Sequence, residues 1–160
     1  MKAVVKWGVT LNVVLIVWML CEELFGLHDT YIHLQAYLTL LANVPFIFIY
    51  RYALSKRLQE KSMTRKELIV HGTGIALVAA LISPISQYLI AEVVSPSYFT
   101  NAIEYAVKSG SSTRAQASAF FTLRSYIPQL MIGTFLSGII FSILVSYMII
   151  KKQQSNKSSP

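Results

Sequence analysis

Four long runs of apolar residues, each closed off by charge or histidine, organise the chain. They cover residues 7–21 between Lys6 and Glu22, 34–50 between His33 and Arg51, 68–91 between Glu67 and Glu92, and 125–150 between Arg124 and Lys151. A helix that crosses a bilayer needs roughly 20 apolar residues. The pattern therefore predicts spans at about 5–25, 33–53, 67–91 and 125–150, a single domain over 1–150, and a disordered cytoplasmic tail over 151–160. The first run is short and crosses only if Lys6 snorkels while Glu22 and Glu23 sit among headgroups. Lys2 and Lys6 also suit the start of a signal peptide. No small-x-small cleavage site follows, however, and the sequence continues as WMLCEELFG, so an uncleaved span is expected.

Polar residues interrupt these runs in a regular way. Pro84 removes the hydrogen bond to the Ala80 carbonyl and bends the third helix. Ser83 is placed to donate to that freed carbonyl. Ser83 and Gln87 share a face with Gly72, Ala76, Ala79 and Ala80, which is the appearance of a helix–helix seam in a membrane. The fourth run has one stripe at Gln129, Gly133 and Ser137, just after Pro128, and an adjoining one at Gly138, Ser142 and Ser146. Gln87 and Gln129 each lie five residues from a charged boundary, about 7–8 Å deep. Spans three and four are therefore expected to pack antiparallel with these two amides near each other. Asn12 and Asn43, the latter beside Pro45, fall in the half of the first two spans nearer the basic residues. Packing glue is the plainer reading of all of these, and the lining of a polar cavity is the alternative.

Composition sharpens the membrane reading. The chain of 160 residues is 54% hydrophobic and only 13% charged, where soluble domains carry about 25% charged residues. Its net charge of +7 comes in short clusters between apolar runs rather than as the basic stripe of a nucleic-acid surface, so no nucleic-acid partner is expected. Eleven Lys and Arg lie in the N-terminus, the 51–66 connection and the tail, against three in the other two connections. By the positive-inside rule, both termini are cytoplasmic. Trp7, Tyr50, Tyr52 and Tyr147 fall at the inner interface, and Trp18, Tyr37, Tyr88 and Tyr126 at the outer one. Cys21 is the single cysteine, which excludes an internal disulfide and a cysteine-based metal site.

The outer connections carry the remaining chemistry. In 95–124, Ser95-Pro96 reads as the start of a helix with Phe99, Ile103, Ala106 and Val107 on one face, stopped at Ser109-Gly110. Thr113 with Gln116 forms a capping box that opens a second helix over about 114–124. Two short amphipathic helices thus form an outer lid. In 22–33, Glu22, Glu23, His28, Asp29 and His33 are all of metal-ligand type but match no tight ligand spacing. Glu22, His28 and His33 are the weak candidates for a metal. The plainer reading is a solvated acidic loop with Asp29 capping the next helix, and a third is proton-linked chemistry at Glu22 or Glu23.

Several short stretches together resemble a known family. They are KWG at 6–8, GLHD at 26–29, Met63-Thr64, SPISQY at 83–88, SP-YF-NAI-YAV over 95–107 and SYI-Q-IG over 125–133. In order and spacing the set resembles a bacterial family of small four-span membrane proteins catalogued as domain of unknown function 4199. The likeness covers nearly the whole chain apart from the Lys- and Ser-rich tail. It implies an all-α, four-helix transmembrane bundle in the bacterial cytoplasmic (inner) membrane, and it carries over no activity and no site residues.

The sequence shows no nucleophile–base set, phosphate loop or cofactor motif. The expected role is a non-enzymatic accessory or scaffold protein without a cofactor, its partners being the lipid bilayer and either a second copy or another membrane protein. The alternative is a small oligomeric transporter or channel with a polar cavity near Gln87 and Gln129. None of the seven acids is central in a span, and His71 is the one titratable group well inside an apolar run. A metal-dependent membrane enzyme ranks last.

Overall fold

The computed structural model describes the backbone of residues 1–158 and the side chains of residues 1–154. It is all-helical, with no strand among the described residues: α1 (Lys2–Leu24), α2 (Ile32–Thr39), α3 (Asn43–Glu60), α4 (Arg65–Leu89), α5 (Tyr98–Lys108), α6 (Arg114–Phe120) and α7 (Leu123–Ser158). Four segments are long and apolar enough to cross a membrane: Lys2–Leu24, Ile32–Glu60, Arg65–Val94 and Leu123–Gln154. The last helix does not give way to a disordered tail at 151. Nothing in KKQQSNKS breaks a helix, so α7 continues through Ser158, and Ser159 and Pro160 lie outside the described residues.

The central helix is α4, which packs most extensively on α7 and next on α1. It starts on a capping box in which Thr64 Oγ1 accepts from the Glu67 amide at 3.3 Å and Glu67 Oε2 accepts from the Thr64 amide at 2.7 Å. Gly72, Ala76, Ala79, Ala80, Ser83 and Gln87 are all buried, as a seam requires. The contacts are as close as small residues permit. A Cβ on Gly72 would lie 2.8 Å from Ser142 Cβ, and one on Gly138 would lie 2.4 Å from Ala76 Cβ. Each step along α4 is matched by a step back along α7, so the two helices run antiparallel. On α1, a Cβ on Gly8 would lie 2.5 Å from Val78 Cγ1.

Prolines bend the spans, and side chains satisfy what the bends release. Ser83 Oγ donates to the Ala80 carbonyl at 2.9 Å, the group that Pro84 leaves without its helical donor. In the second span, Pro45 removes the donor for Leu41, and the chain tightens into a 3-10 turn at Leu40–Ala42 between α2 and α3. There Asn43 Nδ2 donates to the Leu40 carbonyl at 2.8 Å. At its far end α4 widens into a π-turn, Ile90–Val94, where the Ser95 amide reaches the Ile90 carbonyl at 2.8 Å.

The two ends of the molecule differ. One, the basic end, carries Met1, Lys6 and the 61–64 turn. There the Arg65 guanidinium lies 4.8 Å over the Tyr147 ring and ties α4 to α7. The other, the lid end, carries the 25–31 turn and α5 and α6. The expected helix at Ser95-Pro96 begins at Tyr98 instead. Pro96 and Ser97 form a turn after the π-turn, and the buried face shifts by one position to Tyr98, Ala102 and Ala106. Gly110 takes φ +72, which suits glycine, and ends α5 at the expected place. Thr113 and Gln116 form the expected capping box. The second lid helix stops at Phe120 rather than near 124, because Phe121 and Thr122 turn the chain into α7.

Candidate functional site

At the lid end, α1 finishes in Glu22 and Glu23, and Gly26 with φ +70 turns the chain sharply back. The Leu27 amide bonds the Glu22 carbonyl at 2.9 Å and the Tyr31 amide bonds the Gly26 carbonyl at 2.8 Å. This loop sets His28 over the end of its own helix. Glu22 is 2% exposed and His28 is 1% exposed. A carboxylate so far from water needs partners. Glu22 Oε1 accepts from Trp18 Nε1 at 2.7 Å and from Thr39 Oγ1 at 2.6 Å, and Oε2 lies 3.4 Å from His28 Nε2. On the other side of the imidazole, Nδ1 is 2.9 Å from Glu23 Oε2.

The lid closes over this group. Tyr98 packs against the His28 ring in a tilted contact with centroids 4.9 Å apart, and Asn101 Nδ2 donates to the His28 carbonyl at 2.9 Å. The Tyr98 hydroxyl meets Gln35 Oε1 at 3.1 Å and the Tyr126 hydroxyl at 3.2 Å. Burial, with Tyr126 alongside, holds the Tyr98 phenol well above its ordinary range, so it remains a neutral donor. Around it, Tyr126 touches Phe99, Phe120 and Phe121 ring to ring at 5.3 to 6.3 Å. One network therefore ties α1, α2, α5 and α7 together.

The metal candidates are not assembled by this fold. His33 is exposed on a separate groove with Asp29, Glu104 and Lys108, away from Glu22 and His28. The His28 ring stands between the two carboxylates, which face opposite nitrogens, so no single ion reaches all three groups. Among the described residues, no three His, Cys, Asp or Glu side chains are placed to hold a metal. Nor does Asp29 cap α2. The residue at the cap is Tyr31, and the Asp29 carboxylate accepts from the Thr30 amide instead.

The seam candidates divide into two groups. Asn12 is buried between α1 and α4: Nδ2 donates to the Gly8 carbonyl at 3.1 Å and the Ala79 carbonyl at 2.9 Å, while Oδ1 accepts from Ser86 Oγ at 3.0 Å. Ser83, Pro84 and Gln87 belong to the α4 seam, where Gln87 is 2% exposed and its amide nitrogen meets no acceptor of the protein. Gln129, by contrast, is exposed and spends its amide on the Ser125 carbonyl at 2.9 Å. No hydrogen bond joins the two glutamines. The Gly72–Ser142 and Ala76–Gly138 register sets Gln87 level with Ile127. The stripe that faces α4 is Gly138, Ser142 and Ser146; the Gln129, Gly133 and Ser137 stripe is turned aside.

That turned-aside stripe borders a cleft of about 290 Å³ formed by all four spans. Across it stand Asn43, Thr39 and Leu40 at the break of the second span, with Asn12 and Leu15 of α1 on a third side. A Cβ on Gly133 would meet nothing within 4 Å. The cleft and the lid network share Thr39, which lines the one and donates to Glu22 in the other.

Sequence reasoning missed Trp18, Gln35, Thr39, Tyr98, Asn101 and Tyr126 as parts of one network. The GLHD, SP-YF-NAI and SYI stretches each contribute to it, and their co-occurrence was the available signal. Long apolar helices whose buried polar groups turn toward one another define a helical membrane protein. The chain belongs to the family described as Protein of unknown function (DUF4199), which it matches over residues 6–151. No curated protein and no solved structure matches the chain.

Proposed function

We propose that the chain is a multi-pass protein of the bacterial cytoplasmic membrane, with both termini cytoplasmic, acting as a non-enzymatic accessory or scaffold for another membrane protein. The observation that carries this reading is how the central polar groups are used. Asn12 and Ser86 close their hydrogen bonds across the α1–α4 seam, Ser83 closes its own on the Ala80 carbonyl of α4, and glycines bring α4 against α1 and α7 without a gap. A seam built this way holds helices together rather than passing a solute. The lid, fastened by Tyr98, Asn101 and Tyr126, then offers a firm surface with Tyr105 and Phe120 exposed on it. The excess of Lys and Arg at the basic end supports the orientation.

Reconstitution tests this directly. Vesicles holding the purified protein should stay tight to monovalent ions and small solutes. Crosslinkers placed at Tyr105 or Phe120 in the native membrane should capture one stoichiometric partner, and Tyr98→Ala should abolish that capture. Solute flux through the purified protein would refute the scaffold and favour a small oligomeric transporter. That second reading rests on the four-sided cleft with Asn12, Asn43 and Gln129 on its walls.

A further inference from the structure

The cleft among the four spans is built unlike the seams beside it, and its chemistry selects a ligand. It lies within helices long and apolar enough to cross a membrane, and no acid or base lines it. A charged guest at that depth would lack a counter-charge and carry a heavy desolvation cost. The walls are mostly hydrocarbon, from residues such as Leu11, Leu15, Phe46 and Phe141. At about 290 Å³ the space is near the lower end of ligand pockets, which run roughly 300–1,000 Å³.

The polar groups on the rim, with the Tyr50, Thr134 and Ser137 hydroxyls, offer both donors and acceptors, which a hydroxyl head can match in both senses. The Asn43 and Gln129 amide nitrogens are already bonded to the Leu40 and Ser125 carbonyls. Each keeps its carboxamide oxygen and one further N–H. Asn12 is consumed by Gly8, Ala79 and Ser86. Beside Gly133 there is open space, since a Cβ there would meet nothing within 4 Å.

We infer that this cleft is a binding site for a neutral amphiphile: a single apolar chain ending in a hydroxyl that donates to Gln129 or Asn43. The chain lies against Gly133 and the aromatic residues, and the hydroxyl takes the place water cannot fill in hydrocarbon. This does not rest on the scaffold reading, since a scaffold or a carrier could hold such a molecule.

The test uses full-length protein in phosphatidylcholine vesicles and a long-chain alcohol with a photoreactive diazirine in its chain. Three comparison probes are the methyl ether, the carboxylic acid and the unlabelled alcohol as competitor. The alcohol should label saturably, at peptides covering 39–50 and 129–141. Gly133→Leu fills the open space and should cut labelling about tenfold, while Leu136→Phe, on an exposed position of the same helix, should leave it unchanged. Gln129→Leu removes an acceptor without making room. It should lower alcohol labelling about fivefold and lower the methyl ether's by less, since the ether can accept but not donate. Both variants should unfold at the temperature of the parent protein, which separates loss of binding from loss of fold. Labelling that does not saturate, or that survives Gly133→Leu, would overturn the site. Equal labelling by the carboxylic acid would overturn its selectivity for neutral ligands.

Discussion

The second and third spans start from similar material and end in opposite surroundings. Each contains a proline and each is long and apolar enough to cross a membrane, yet 39% of the most apolar stretch of Arg65–Val94 is buried inside the protein and only 6% of that of Ile32–Glu60. The difference lies in side-chain size. The third span offers Gly72, Ala76, Ala79, Ala80 and Ser83 to its neighbours, so backbones approach closely. The second points Leu40, Leu41, Val44 and Phe48 outward, and its α2 portion has no buried residue. In hydrocarbon, large apolar residues gain little by turning inward, because lipid is as apolar as a core. Small residues on two helices at once decide which spans form the centre, and the loosely held span leaves a cleft.

This contrast can be broken most forcefully at its tightest point. Gly72→Leu or Gly138→Leu drives a side chain into Ser142 or Ala76 and should cost about 3 kcal/mol, read as thermal unfolding in detergent. A small effect would mean the seam is looser than its geometry. Next comes the lid. His28→Ala strips a partner from the buried Glu22 and should cost about 2 kcal/mol, and a double-mutant cycle with Tyr98→Leu should reveal coupling through the contact of the two rings. Smaller still, Asn12→Ala unties α1 from Ala79 and Ser86 for about 1 kcal/mol, since polar contacts between membrane helices are individually modest. Phe48→Ala, on the outward face of the second span, should change stability by less than about 0.5 kcal/mol. A large loss there would show that this face is covered by something other than lipid.

Much of this architecture was legible in the residues themselves. The charges that bound each apolar run marked four helices long and apolar enough to cross a membrane, although the second runs on to Glu60 and the fourth to Gln154, Thr113 with Gln116 announced α6, and Ser83 with Pro84 announced its own local repair. Gln87 and Gln129 show where reading along one helix fails. Both lie five residues from a charge, yet the register sets Gln87 level with Ile127, and of the two stripes of small residues that adjoin on α7 the one led by Gly138 took the contact because Ala76 and Gly72 opposite it allow the closer approach. The 22–33 loop shows a second limit. Its Glu and His residues invited a metal, and only the turn at Gly26 reveals that His28 separates the carboxylates while His33 faces away.

Taken alone, the sequence determined how many helices are long and apolar enough to cross a membrane, and the capping box and glycine stop of the lid, because each depends on residues near one another along the chain. Only the tertiary structure decided which apolar face meets protein and which meets lipid, which loops converge on Glu22, and where a gap remains. In a membrane both faces of a helix are apolar, so periodicity cannot tell them apart. The choice falls to how closely two distant backbones can approach.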